Sequence, residues 1–266
     1  ISPSGKYTLA ISKFGTGPNT WNVSRGTVYK TGQSEPISVV HRNYGSFPFL
    51  FVENHPNGHD YLICGENYMG QTVIELDTGK RIDHNKNGFC WAAYSFNSSQ
   101  KLLVVDGCYW AAPYEYKLFD FSDPMNGWPE LIPDQSISFG STKEPSITSD
   151  GIVTYYDVEL SDDEDDDDDV RPDMPVVATM TFQRDGHKLV LKEQWTSEAE
   201  LARQVEYEAS AKSWREQEAR FQKEDPLYLA MIEGIKDPVF TPDDYISYGM
   251  THENWCPHWS GNEQRI

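Results

Sequence analysis

The densest group of chemically capable side chains is Asp106-Gly107-Cys108-Tyr109-Trp110-Ala111-Ala112-Pro113-Tyr114-Glu115-Tyr116, which sets one thiol and two carboxylates among four aromatic rings. Aromatic faces beside carboxylates suit a small ligand or an extended peptide. Asp106, Cys108, Tyr109, Trp110, Tyr114 and Glu115 are therefore the candidate binding residues, although the same rings could equally fill space between neighbouring sheets. For Cys108 to act as a nucleophile, a base such as His41, His55 or His59 must lie close enough to form its thiolate. Spacing along the chain does not supply that proximity, and no catalytic residue is assigned.

Metal chemistry finds little support. Asp83-His84-Asn85-Lys86-Asn87-Gly88 opens like a calcium loop, whose oxygens at alternate positions converge on one hard cation. The twelfth position, which should carry a bidentate Glu, is Tyr94, so the segment is expected to be a turn. His55 and His59 stand four apart, but Pro56 and Gly58 between them forbid the helix that would bring both rings to one face. His252, Glu253, Cys256 and His258 cluster in an irregular stretch that fixes no geometry. Neither a Gly-x-Ser-x-Gly elbow nor a Gly-x-x-x-x-Gly-Lys-Ser/Thr loop is present, so no cofactor or metal is assigned. The two glycosylation-type triplets, at Asn22 and Asn97, are read as coincidence. Cys64, Cys90, Cys108 and Cys256 form neither a dense disulfide framework nor a zinc ribbon, which favours a reducing compartment.

With 42 acids against 22 bases the formal charge is -20, which repels phosphate backbones and anionic lipid. Nucleic-acid and membrane partners are disfavoured, and a basic protein or peptide is favoured. Asp162, Asp163, Glu164, Asp165, Asp166, Asp167, Asp168 and Asp169 form an unbroken acidic run, followed by Arg171-Pro172-Asp173-Met174-Pro175. Like charges and flanking prolines predict a solvated loop near 161–175, which could capture a basic tail or be a tolerated low-complexity insertion. The content of 38% hydrophobic and 13% aromatic residues is that of a folding chain. No apolar run approaches the roughly 20 residues that span a bilayer, and no signal-like segment opens the chain. A soluble, cytoplasmic or nuclear protein is expected. The chain begins at Ile1 in mid-pattern, as a processed product or a fragment would.

The elements that would position these residues repeat. Four copies of a first turn are Pro3-Ser4-Gly5, Pro56-Asn57-Gly58, Asn97-Ser98-Ser99 and Ser149-Asp150-Gly151. Each leads into a short run of β-branched and aromatic residues: Tyr7 to Ile11, Tyr61 to Cys64, Leu102 to Val105, and Ile152 to Tyr156. A second strand and turn follow in each copy, ending near Gly32, Asp77-Thr78-Gly79, Ser122-Asp123 and Asp185-Gly186. Strand, turn, strand, variable loop, strand, turn, strand at this spacing predicts four-stranded antiparallel units, with the first copy starting at its second strand. The Ser2 to Gly5 turn and the segment from Val73 to Lys80 resemble WD40-like and related β-propeller repeats over about residues 1 to 195, without the Gly-His and Trp-Asp signatures. The resemblance implies an all-β, propeller-like array of about four blades, the low end for a closed ring.

Beyond it, 196–266 is expected to be a helical extension with an irregular tail packing on the body. Ser197-Glu198-Ala199-Glu200 has the capping-box arrangement that starts a helix, expected to run to about Phe221 with Tyr207, Trp214 and Phe221 at a spacing of seven. A second, shorter helix is expected over Leu227 to Ile235. The functional expectation is a non-enzymatic interaction scaffold for a protein or peptide. The alternative is a propeller-type hydrolase or lyase, or a small-ligand or metal binder, with its site at the central channel.

Overall fold

In the computed structural model the described residues are 1–224, apart from 16, 19, 44, 66–70, 85–87, 110–112, 138, 140–141 and 160–173. Trp110, the acidic run, the second helix and the aromatic tail of the sequence analysis lie outside them. The chain divides into two units, Ile1–Ser197 and Glu198–Ile266.

The first unit is all-β and its sheets follow chain order. β1 (Tyr7–Gly15), β2 (Asn22–Lys30) and β3 (Pro36–Arg42) make a three-stranded antiparallel sheet. β4 (Phe49–Val52), β5 (Tyr61–Cys64), β6 (Gln71–Glu75) and β7 (Arg81–His84) make the second, four-stranded sheet. β8 (Phe89–Asn97), β9 (Leu102–Tyr109) and β10 (Glu115–Asp120) make the third, extended by a single bridge between Phe119 and Glu130. β11 (Ile132–Pro133), β12 (Thr142–Ile147), β13 (Ile152–Val158), β14 (Val176–Asp185) and β15 (Lys188–Thr196) make the fourth, in which β11 runs parallel to β15. Each predicted first turn precedes a strand of its own sheet, and among the described residues the first sheet begins at β1, without a strand before its first turn. The parallel addition of β11 was not foreseen.

Period-two alternation explains how the sheets stack. In a strand, successive side chains point to opposite faces. In β5, Leu62 and Cys64 join the core with Tyr7, Val28 and Val40 of the first sheet, while Tyr61 and Ile63 join that of the third sheet with Phe89 and Trp91. In β9, Leu103 and Val105 face the second sheet, while Leu102 and Val104 meet Val153, Met180 and Phe182 of the fourth. The two middle sheets are thus apolar on both faces, and three cores fill the three gaps between four propeller-like sheets.

Polar clamps link successive copies along the rim that carries the first turns. Ser2 Oγ donates to Glu53 at 2.9 Å, and Lys6 Nζ and the Tyr7 hydroxyl each reach Asp60 at 3.1 Å. His55, only 2% exposed, holds the Phe121 carbonyl through Nε2 at 2.9 Å and accepts the Asn57 N–H at Nδ1, which fixes its tautomer. Arg184 donates to the Gln100 carbonyl at 2.7 Å and to Asp120 at 2.8 Å. Each clamp satisfies buried or half-buried polar groups that would otherwise oppose stacking.

The helix α1 (Glu198–Glu224) begins directly after Ser197, where the capping box placed it. No helix among the described residues is long and apolar enough to cross a membrane.

Candidate functional site

β9 and β10 carry the ends of the Asp106 to Tyr116 segment on either side of residues 110–112. Their pairing places Glu115 opposite Gly107 and Tyr116 opposite Asp106. Alternation then divides the candidate residues between two faces. Asp106 and Cys108 continue the row of Leu102 and Val104 toward the fourth sheet, and burial and then the neighbouring Cys108 thiol raise the Tyr114 pKa. Tyr109 continues the row of Leu103 and Val105 toward the second sheet, its ring 5.2 Å from that of Phe89. Glu115 shares the Tyr109 side. The five described residues among the candidates border one region rather than a single pocket, and Trp110 lies outside the described residues.

Lys117 is the residue that the sequence reading missed. Two positions after Glu115 on the same face, its Nζ lies 3.1 Å from the Tyr109 hydroxyl, 3.1 Å from Glu130 and 3.7 Å from Glu115. It also sits 4.8 Å from the ring centroid of Phe89 and 5.0 Å from that of Tyr109. Burial opposes its charge, but the Tyr109 hydrogen bond and the two carboxylates outweigh that cost and raise its pKa.

Between the third and fourth sheets a cleft of about 460 Å³ opens beside this cation, lined among others by Tyr114, Glu115, Tyr116, Lys117, Glu130, Phe139 and Tyr155. Burial pushes Tyr116 up to about 12 and raises Tyr155 further, so both stay neutral hydrogen-bonding phenols. Nearby, burial raises the Asp106 carboxyl against the hydrogen bond from the Gly107 N–H, and the charge of Glu144 raises it further. Glu144 itself accepts a hydrogen bond from the Ser95 hydroxyl. Four carboxylates therefore stand in this neighbourhood, with Lys117 paired to two of them. Period two links Lys117 to Glu115 in sequence, whereas Glu130, Phe139 and Tyr155 come from other segments and carry no local signal.

None of the three candidate bases stands by Cys108. His55 and His59 occupy the first-turn rim, separated from Cys108 by about the length of β9, on the order of 20 Å. His41 belongs to the first sheet, with the second sheet between it and Cys108. His59 instead lies 3.7 Å from Glu75 and 3.5 Å from Asp77, in an open cleft of about 700 Å³ shared with Lys80, Arg81 and Asp123. Asp83, the first residue of the calcium-like segment, is engaged by Arg81 at 2.6 Å and by the Thr72 hydroxyl at 2.6 Å. Among the described residues no three His, Cys, Asp or Glu side chains gather as metal ligands would.

The acidic run falls in the connection between β13 and β14. The Glu159 N–H donates to the Pro175 carbonyl at 3.0 Å, closing the base of that connection. Asp162, Asp163, Glu164 and Asp165 to Asp169 lie outside the described residues.

No family model matches the chain. An uncharacterised protein of Acanthamoeba polyphaga mimivirus is 38% identical to it over 135 residues, 49% of this chain and 53% of the viral protein. The chain thus spans about half the length of this curated relative.

Proposed function

We propose that this chain is a non-enzymatic interaction scaffold whose cleft between the third and fourth sheets takes an extended basic peptide. The observation that carries the reading is the environment of Lys117. A cation is held there against two aromatic rings and two carboxylates, and the adjoining cleft sets Tyr114, Tyr116 and Phe139 beside the same two carboxylates, Glu115 and Glu130. A Lys or Arg side chain entering it gains a ring face and an ion pair together. The charge of -20 draws a basic segment toward the protein. The charge is unevenly spread, since residues 1–52 hold five of the 22 bases and one of the 42 acids. The attraction is therefore centred away from the first sheet.

Fluorescence anisotropy with a labelled decapeptide of alternating Lys and Ala, in reducing buffer, tests the proposal. Saturable binding is expected, with Tyr114→Ala weakening it by about tenfold, equivalent to about 1.4 kcal/mol. Glu115→Gln weakens it less, and a Glu-Ala peptide does not bind. Equal affinity of wild type and both variants for the Lys peptide would overturn it.

A further inference from the structure

We infer that Cys90 and Cys108 are a thiol pair built to close into a cross-strand disulfide at the wall of the cleft. The two residues face each other directly in the antiparallel register of β8 and β9. Directly opposed residues have Cα atoms about 4.5 to 5.5 Å apart, and a disulfide accepts Cα separations of about 4.4 to 6.8 Å. Directly opposed side chains also share a face, so both sulfurs lie on the side of Asp106. The flanking pairs are Phe89 opposite Tyr109 and Trp91 opposite Gly107, and the register shifts only beyond Trp91. Gly107 lets the strands close tightly here, because a Cβ at that position would sit 2.1 Å from the Cys90 carbonyl oxygen. Neither cysteine is joined in a disulfide in the structure.

Their unequal exposure sets the order of events. Cys108 is half-buried and reachable by a small oxidant, whereas Cys90 is only 6% exposed. The oxidant class is a low-molecular-weight disulfide such as oxidised glutathione. The Cys108 thiolate attacks one of its sulfurs, breaking that S–S bond and releasing one thiol. The Cys90 thiolate then attacks the Cys108 sulfur of the mixed disulfide and releases the second thiol. Two protein thiols are oxidised, one small disulfide is reduced, and the two protons end on the released thiols. Cys64 stays outside this chemistry, since it is fully buried and burial pushes its thiol up to about 12.

Closure has a consequence for the cleft. Tyr114, which lines the cleft, neighbours the Cys108 thiol, and turning that sulfur into a bond with Cys90 takes the thiol away from a cleft-lining ring. Oxidation therefore loosens Tyr114 and weakens peptide binding, a consequence that rests on the proposed function, whereas the disulfide does not.

The test treats the reduced full chain with oxidised glutathione, blocks residual thiols and maps tryptic peptides without reduction. Cleavage after Lys86, Lys101 and Lys117 puts the two cysteines on separate peptides, 87–101 and 102–117. The expected product is these two peptides joined, two hydrogens lighter than their sum, with Cys64 blocked as a free thiol. In Cys90→Ser, Cys108 is trapped as its mixed disulfide with glutathione. Recovery of both cysteines as blocked thiols after oxidation, or Cys108 joined to Cys64 or Cys256, overturns the pairing. Binding of the Lys-Ala peptide to the oxidised chain is expected to fall by about fivefold or more. An unchanged affinity after complete closure overturns the coupling to Tyr114 alone, while loss of binding already in the reduced chain counts against the peptide site and not against the disulfide.

Discussion

Lys117 shows what a strand asks of its neighbours. Burial opposes the charge of Lys117, and Tyr109, Glu130 and Glu115 outweigh that cost, so Lys117→Met leaves the Glu130 carboxylate half-buried without its partner. The variant should unfold at lower urea concentration than wild type, by about 1 to 2 kcal/mol. Asp106 has the opposite balance. Its folded-state pKa is raised, so its charged form opposes folding above that pKa and the penalty disappears as the pH falls and the group takes its proton. Asp106→Asn should raise the thermal midpoint at pH 7 and leave it unchanged near pH 3. Ser24 Oγ is buried with no hydrogen-bond partner among the described residues, so Ser24→Ala should be neutral or stabilising by up to about 1 kcal/mol in urea titrations. At this scale the sequence names a segment but not the faces to which its side chains point. Asp106 and Cys108 part from Tyr109 and Glu115 because neighbours in a strand point to opposite faces, a rule the segment obeys but a residue cluster conceals.

The elements were legible wherever backbone geometry restricts residue choice. Gly79 and Gly151 adopt φ of 73° and 82°, a region that L side chains rarely enter, so turns announced themselves. β11 was not legible, because two residues ending in Pro133 have neither length nor alternation. The clamps between copies were equally hidden, since each joins residues about 50 to 85 positions apart. His55 is the sharpest case. Its place between Pro56 and a tight turn read as metal chemistry to be excluded, yet its ring lies 5.3 Å from Tyr61 and 5.2 Å from Phe96 and ties the second sheet to the third. His55→Ala removes that packing and leaves the Phe121 carbonyl unpaired, and should cost about 2 to 4 kcal/mol, read as a shift of the urea midpoint.

Across the whole molecule, charge and stacking oppose each other. A charge of -20 and an isoelectric point near 4.6 mean that lowering the pH from neutrality first relieves self-repulsion. Below that point the clamps fail. Burial alone would raise Glu53, Asp60 and Asp120, but the hydrogen bonds and cations they face hold all three carboxyls below the usual range. Their contribution is complete above the ordinary carboxylate pKa and is lost as the pH falls through the lowered values. A thermal midpoint that changes little from pH 7 to 5 and drops steeply below about pH 4 is expected in a pH series followed by circular dichroism. Asp60→Asn should lower the midpoint at pH 7 and make that drop shallower. The order of sheets was written in the turns, but which faces meet was settled by two-sided apolar strands such as β5 and β9.

The central claim, that the cleft between the third and fourth sheets receives a basic peptide, is tested most directly by hydrogen–deuterium exchange of the full chain with and without the Lys-Ala decapeptide. The account predicts slowed exchange at 113–117 and 130–139, unaltered exchange in the first sheet, and loss of the effect in Tyr114→Ala. Protection confined to the connection at 159–175 would contradict it, and would assign capture of the basic segment to the acidic run instead.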